Sequence, residues 1–157
     1  MANGHRLDSR LAVGYTFYHN NRERTTTLKE VIEMSLTFIH DRLSITAVIF
    51  TAICALWGIV NYLRNQPVTS SYWGTLAIAE VLMVAQMVIG VLLWLGGERP
   101  DRGVVHLLYG ATAVISLPAV YVYTDGADTR RESLFYGIIC IWLFGISLRA
   151  ITTGGGG

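Results

Sequence analysis

Charge is scarce in this chain. Only 15% of its 157 residues are Asp, Glu, Lys or Arg while 52% are apolar, and a soluble domain usually has roughly a quarter of its residues charged, so composition argues against that class. The twelve Lys and Arg nearly cancel the eleven Asp and Glu, leaving a net charge of +1. With no basic stripe interleaved with aromatics, nothing draws the chain to nucleic acid. Cysteine is almost missing. Cys54 and Cys140 sit inside apolar stretches at a spacing that fits no metal or redox motif, and both read as small apolar fillers. No nucleophile–base pair, metal-ligand cluster or phosphate-binding loop occurs, so the expectation is a protein that is not an enzyme. No apolar region precedes a small-residue cleavage site near the N-terminus, so no signal peptide is expected and the first membrane helix directs its own insertion.

What the chain does have is long apolar blocks. Residues 73–95 and 104–123 form two helices of about 20 residues, each long enough at ~1.5 Å per residue to cross a ~30 Å hydrocarbon core. The polar turn from Gly96 to Gly103 makes them a hairpin. Similar blocks at 45–63 and 134–151 flank this pair. The fold expected is an all-α integral membrane protein, an antiparallel four-helix transmembrane bundle over residues 45–152, because short loops make successive helices neighbours.

Residues 1–26 lack a sustained period and read as a flexible polar arm. Residues 27–44 read as an amphipathic lead-in helix opened by a capping box of Thr27 and Glu30. Met34 follows Lys29-Glu30-Val31, which a ribosome-binding purine run can encode, so Met34 is an alternative start. Pro67 ends the first membrane helix. Thr129 and Glu132 form a second capping box before the fourth, and residues 153–157 are a flexible tail. Pro118 is expected to bend the third helix and free the carbonyl of Val114.

Close packing is expected along two stripes, Ala47, Thr51, Cys54 and Gly58 in the first helix, and Gly137, Ile141, Gly145 and Arg149 in the fourth. Tyr62, Tyr72, Trp73, Tyr121, Tyr123 and Tyr136 suggest an aromatic belt at one interface, with Trp94 and Tyr109 as anchors at the other. The side holding the N-terminal arm, the central turn and the C-terminal end carries nine Lys or Arg against three opposite. That bias predicts cytoplasmic termini in the cell membrane. Counted from Met34 it shrinks to four against three.

Few residues could carry chemistry. Glu80 lies about seven residues into the second helix, where a carboxylate is costly unless it is protonated, paired or beside water, and Gln86 lies on the same broad side. Together they are the candidates for ligand or proton handling. His106 opens the third helix on a face shared with Gly103, Gly110, Ala113 and Leu117. His40 falls on the arc of Ala47, Thr51, Cys54 and Gly58 if the first helix extends back through Ser44 and Asp41. Two neutral imidazoles from two helices can ligate a b-type haem. Counted from the helix starts, however, they differ by about 10 Å in depth at ~1.5 Å per residue, so no cofactor is expected and His106 should bond a headgroup, a loop carbonyl, Asp41 or Asp101.

The helix count resembles that of small bacterial membrane proteins of the DoxX type and of four-helix membrane cytochromes b, without the signature of the former or the repeated in-helix histidines of the latter. The resemblance implies an architecture and no activity. The function expected is an accessory or self-associating subunit of a membrane assembly, in contact with lipid and with protein partners or further copies of itself. A proton- or ion-coupled carrier built on Glu80 and a haem protein built on His40 and His106 are the alternatives.

Overall fold

Four helices account for nearly all of the computed structural model, which describes residues 4–98 and 102–154. They are α1 (Gly4–Leu63), α2 (Ser70–Gly96), α3 (Gly103–Tyr123) and α4 (Arg130–Thr153). Each holds a stretch long and apolar enough to cross a membrane. Arg99, Pro100 and Asp101 of the central turn and residues 155–157 of the tail lie outside the described residues.

The chain divides into two units, Met1–Leu36 and Thr37–Gly157. In the first, residues 4–26 are helical where a flexible polar arm was expected, and they run into 27–36 without a break. Composition permits this, since no proline interrupts the segment, and an i,i+4 pair joins His19 to Glu23 at 3.2 Å. Thr27 therefore caps nothing. Its hydroxyl donates to the carbonyl of Glu23 one turn back, as a threonine inside a helix does.

In the second unit α3 packs on both α2 and α4. The later part of α1 meets the other two helices. Tyr72 of α2 donates its hydroxyl to the carbonyl of Cys54 at 3.0 Å. Gly58 of α1 faces Gly137 of α4 so closely that a Cβ on Gly58 would lie 2.8 Å from the Cα of Gly137. Small residues at that crossing let two backbones approach, and van der Waals packing of this kind is what associates helices in a lipid environment. The α1 stripe points inward as expected, with Ala47, Thr51 and Cys54 buried.

The α4 stripe does so only at Gly137. Ile141 is exposed and Gly145 has open space beside its Cα. A spacing of four drifts about 40° per step on a helix of 3.6 residues per turn, so four such positions wind off one face. The face that packs is Ser133, Tyr136, Cys140 and Leu143, all at most 1% exposed. The aromatic belt needs a matching correction. Tyr72 and Tyr136 are core residues, and Trp73 stacks edge-on to Tyr136 and Tyr121 with ring centres 5.0 and 5.7 Å apart. Of the other tyrosines of that belt, Tyr121 and Tyr123 are exposed and Tyr62 is half-buried.

Local chemistry explains where the helices stop. Asn65 (φ 56°) and Gly97 (φ 109°) take left-handed backbone just past α1 and α2. At both ends the next N–H reaches back to a carbonyl of the last turn, Gln66 to Asn61 at 2.8 Å and Glu98 to Leu93 at 3.1 Å, satisfying otherwise free acceptors. Asn65, rather than Pro67, does the terminating. Thr129 is the N-cap of α4, accepting from the N–H of Arg131 while donating to the carboxylate of Glu132. Thr69, unforeseen, caps α2 by accepting from Tyr72 N–H. The helix α3 continues through Pro118. Outward faces carry Val81, Leu95, Val122 and Leu56, each more than 60% exposed. Apolar surface on this scale, with four helices of spanning length, is consistent with a multi-pass membrane protein.

Candidate functional site

A partly open cavity of about 210 Å³ lies within the second unit. Its lining includes His40 from α1, Met83, Gln86, Met87, Gly90 and Trp94 from α2, His106, Tyr109 and Gly110 from α3, and Ala150 from α4. All four helices contribute. Trp94 and Tyr109, expected as interface anchors, thus border the cavity, and Trp94 packs so tightly on Gly103 that a Cβ there would lie 2.7 Å from its ring.

The two histidines meet here. Their ring centres are 6.1 Å apart with planes inclined at 61°. The expected difference in depth does not exist, because α1 is unbroken through Ser44, Asp41 and His40 and carries His40 along the same helix as Ala47 and Thr51. An imidazole nitrogen lies roughly 1.1 Å from its ring centre and metal–nitrogen bonds are about 2.0–2.1 Å, so two imidazoles on opposite sides of one metal have centres roughly 6.3 Å apart. The observed separation matches that requirement.

Hydrogen bonds treat the two rings differently. Nδ1 of His106 lies 3.1 Å from the carbonyl oxygen of Ala150 and 3.5 Å from Oγ1 of Thr153. A carbonyl can only accept, so Nδ1 holds the proton in this contact, and in the neutral ring Nε2 would then keep its lone pair, the tautomer of a metal ligand. Its Nδ1 partner is a helix carbonyl and not the expected Asp41, and Asp101 lies outside the described residues. Nδ1 of His40 is buried with no hydrogen-bond partner. A glycine stands beside each imidazole. A Cβ on Gly90 would lie 3.4 Å from Cε1 of His40, and one on Gly154 would lie 3.2 Å from Cε1 of His106. A Cβ on Gly110 would press on Sδ of Met87 at 3.0 Å. Side chains at these positions would narrow the space around the pair.

The donor set limits what metal could sit here. Among the described residues no group of three or more His, Cys, Asp and Glu is placed to hold an ion. A bare transition-metal ion takes four or more ligands, whereas a metalloporphyrin brings four nitrogens of its own and needs two axial donors. Two imidazoles at this separation meet the second case in donor number and spacing.

Glu80 is half-buried and does not line the cavity; its Oε2 is shielded and unpartnered. Gln86 does line it, with Oε1 likewise unpartnered. The carbonyl of Ala150 had no signal in the sequence, since every residue has one and only the crossing of α3 with α4 selects it. Comparison of the chain with protein-family models, with curated proteins and with solved structures finds no match.

Proposed function

We propose that this chain is a small antiparallel four-helix membrane protein that binds one b-type haem between His40 and His106 and serves as a one-electron carrier. The observation that carries the reading is the 6.1 Å separation of the two imidazole centres within a cavity formed by all four helices. Bound haem supplies the redox-active iron. The residues do the rest. His106, its ring oriented by the Ala150 carbonyl, would offer Nε2 to the iron and His40 would offer the second imidazole, with Gly154 and Gly90 lying against the two rings. With two imidazoles of the chain as its ligands, the group would supply outer-sphere electron transfer. The charge bias of nine to three supports a site toward the cytoplasmic end of the bundle.

The test is the absorption spectrum of protein purified from haem-replete cells, before and after dithionite. The reading expects a Soret band with sharp low-spin bands on reduction, altered in His40→Ala and in His106→Ala. Protein that stays colourless after haem is added to it in detergent would end the reading. The function would then return to a subunit that associates with partners or with itself.

A further inference from the structure

We infer that Cys54 and Cys140 form a reversible disulfide that ties α1 to α4, a redox-responsive lock within the bundle that stands apart from the haem reading.

The register of the two helices puts the thiols together. Arg130, which opens α4, donates its Nε to the carbonyl of Tyr62 near the end of α1 at 2.9 Å, and further in Gly58 faces Gly137. The helices therefore run in opposite directions along this seam. Cys54 lies four residues back from Gly58 and Cys140 three residues on from Gly137, steps of about 6.0 and 4.5 Å in the same direction at ~1.5 Å per residue. They reach one level, a turn beyond the glycine crossing. Both cysteines are 0% exposed, and their side chains interact with each other across the seam.

A disulfide needs Cα atoms roughly 4.4–6.8 Å apart, and packed helices come that close only where small residues let the backbones approach. The glycines supply the approach. A Cβ on Gly58 would already lie 2.8 Å from the backbone of Gly137. One buried cysteine is most simply an inert filler, but here the two cysteines of the chain face each other at a glycine crossing. Their wide separation in sequence hides the pair. Both helices also line the cavity, α1 through His40 and α4 through Ala150, so a bond between them fixes two of its walls in register and reduction frees them to shift.

The enclosure of both thiols selects a small, neutral, two-electron oxidant, for which the diazene diamide is the probe. One sulfur adds to its N=N bond and passes its proton to the other nitrogen. The second sulfur then attacks the first, the S–S bond forming as the S–N bond breaks, and its proton completes the hydrazine. The two thiols are oxidised and the diazene is reduced.

The experiment treats the full chain in mild detergent with diamide, unfolds it in dodecyl sulfate, and counts free thiols with a maleimide polymer that adds one mass step for each. Untreated protein should show two steps, and treated protein none while still running as a monomer. Dithiothreitol should restore both. The bridged protein should melt at a higher temperature than the reduced one, because the crosslink constrains the unfolded chain. A register control, Cys140→Ala with Ile141→Cys, turns one thiol to the exposed side of α4 and should give no bridged monomer. The inference is overturned if the parent keeps both steps at saturating diamide, if the bridge joins two chains instead of closing within one, if the register control bridges as readily, or if bridging leaves the melting midpoint unmoved.

Discussion

Replacing Gly58 by alanine tests the packing that holds α1 against α4 and α2. The new Cβ would lie 2.8 Å from both Cα and N of Gly137 and would also press on the hydroxyl of Tyr72, which donates to the Cys54 carbonyl. Backbone cannot step aside as a side-chain tip can. Overpacking of this kind costs about 1–3 kcal/mol, and disturbing one buried hydrogen bond between membrane helices adds about 0.6 kcal/mol. Alanine returns up to ~1 kcal/mol in helix propensity. The net is about 1–3 kcal/mol, which for a chain of this length lowers a melting midpoint by roughly 2–10 °C.

Two control glycines sharpen the expectation. A Cβ on Gly137 would lie 3.1 Å from Ile59 N, tight but nearer tolerance, so Gly137→Ala should cost less than Gly58→Ala. Gly145 has nothing within 4 Å, so Gly145→Ala should be neutral or stabilising through propensity alone. Adding Tyr72→Phe to Gly58→Ala should recover only the smaller share of the loss, because Gly137 remains in the way. Thermal unfolding in mild detergent, followed by circular dichroism or by dye labelling of Cys54 and Cys140, reads the order. The reasoning is refuted if Gly145→Ala melts as low as Gly58→Ala, or if Gly58→Ala melts with the parent.

Two further outcomes follow from the same structure. Glu80→Gln should accumulate normally, whereas Glu80→Lys should lower the yield of folded protein, because a lysine inside a span costs up to ~3 kcal/mol near the bilayer centre; equal yields would place Glu80 beside water or headgroups. A cysteine introduced in the 64–69 or 124–129 connection should react with an impermeant thiol reagent on intact cells, as cytoplasmic termini require, and labelling only after the membrane is opened would reverse the orientation.

Much of the architecture was legible because it rests on patterns with a long physical reach. Apolar blocks of spanning length found four helices, Thr129 marked the start of α4, and the 3.6-residue arc of Ala47, Thr51 and Cys54 found the buried face of α1. The failures share a cause. The frequency of tyrosine at interfaces puts Tyr72 and Tyr136 there, yet Gly58 and Gly137 bring the helices close enough for both rings to be enclosed. The histidines were set apart because α1 was started at residue 45, whereas the polar residues before it continue the helix instead of ending it. Polarity marks where a helix leaves lipid, and only capping residues or breakers mark where it stops. None occurs between Thr27 and Ile45 that halts α1.

Electron paramagnetic resonance of the oxidised, haem-loaded protein tests the central claim most directly. Two imidazoles on one ferric iron would give a low-spin signal. That low-spin signal, lost on replacing either His40 or His106, is the predicted result. A high-spin signal that persists in His40→Ala, or no ferric haem signal at all, would contradict a haem held between the two histidines.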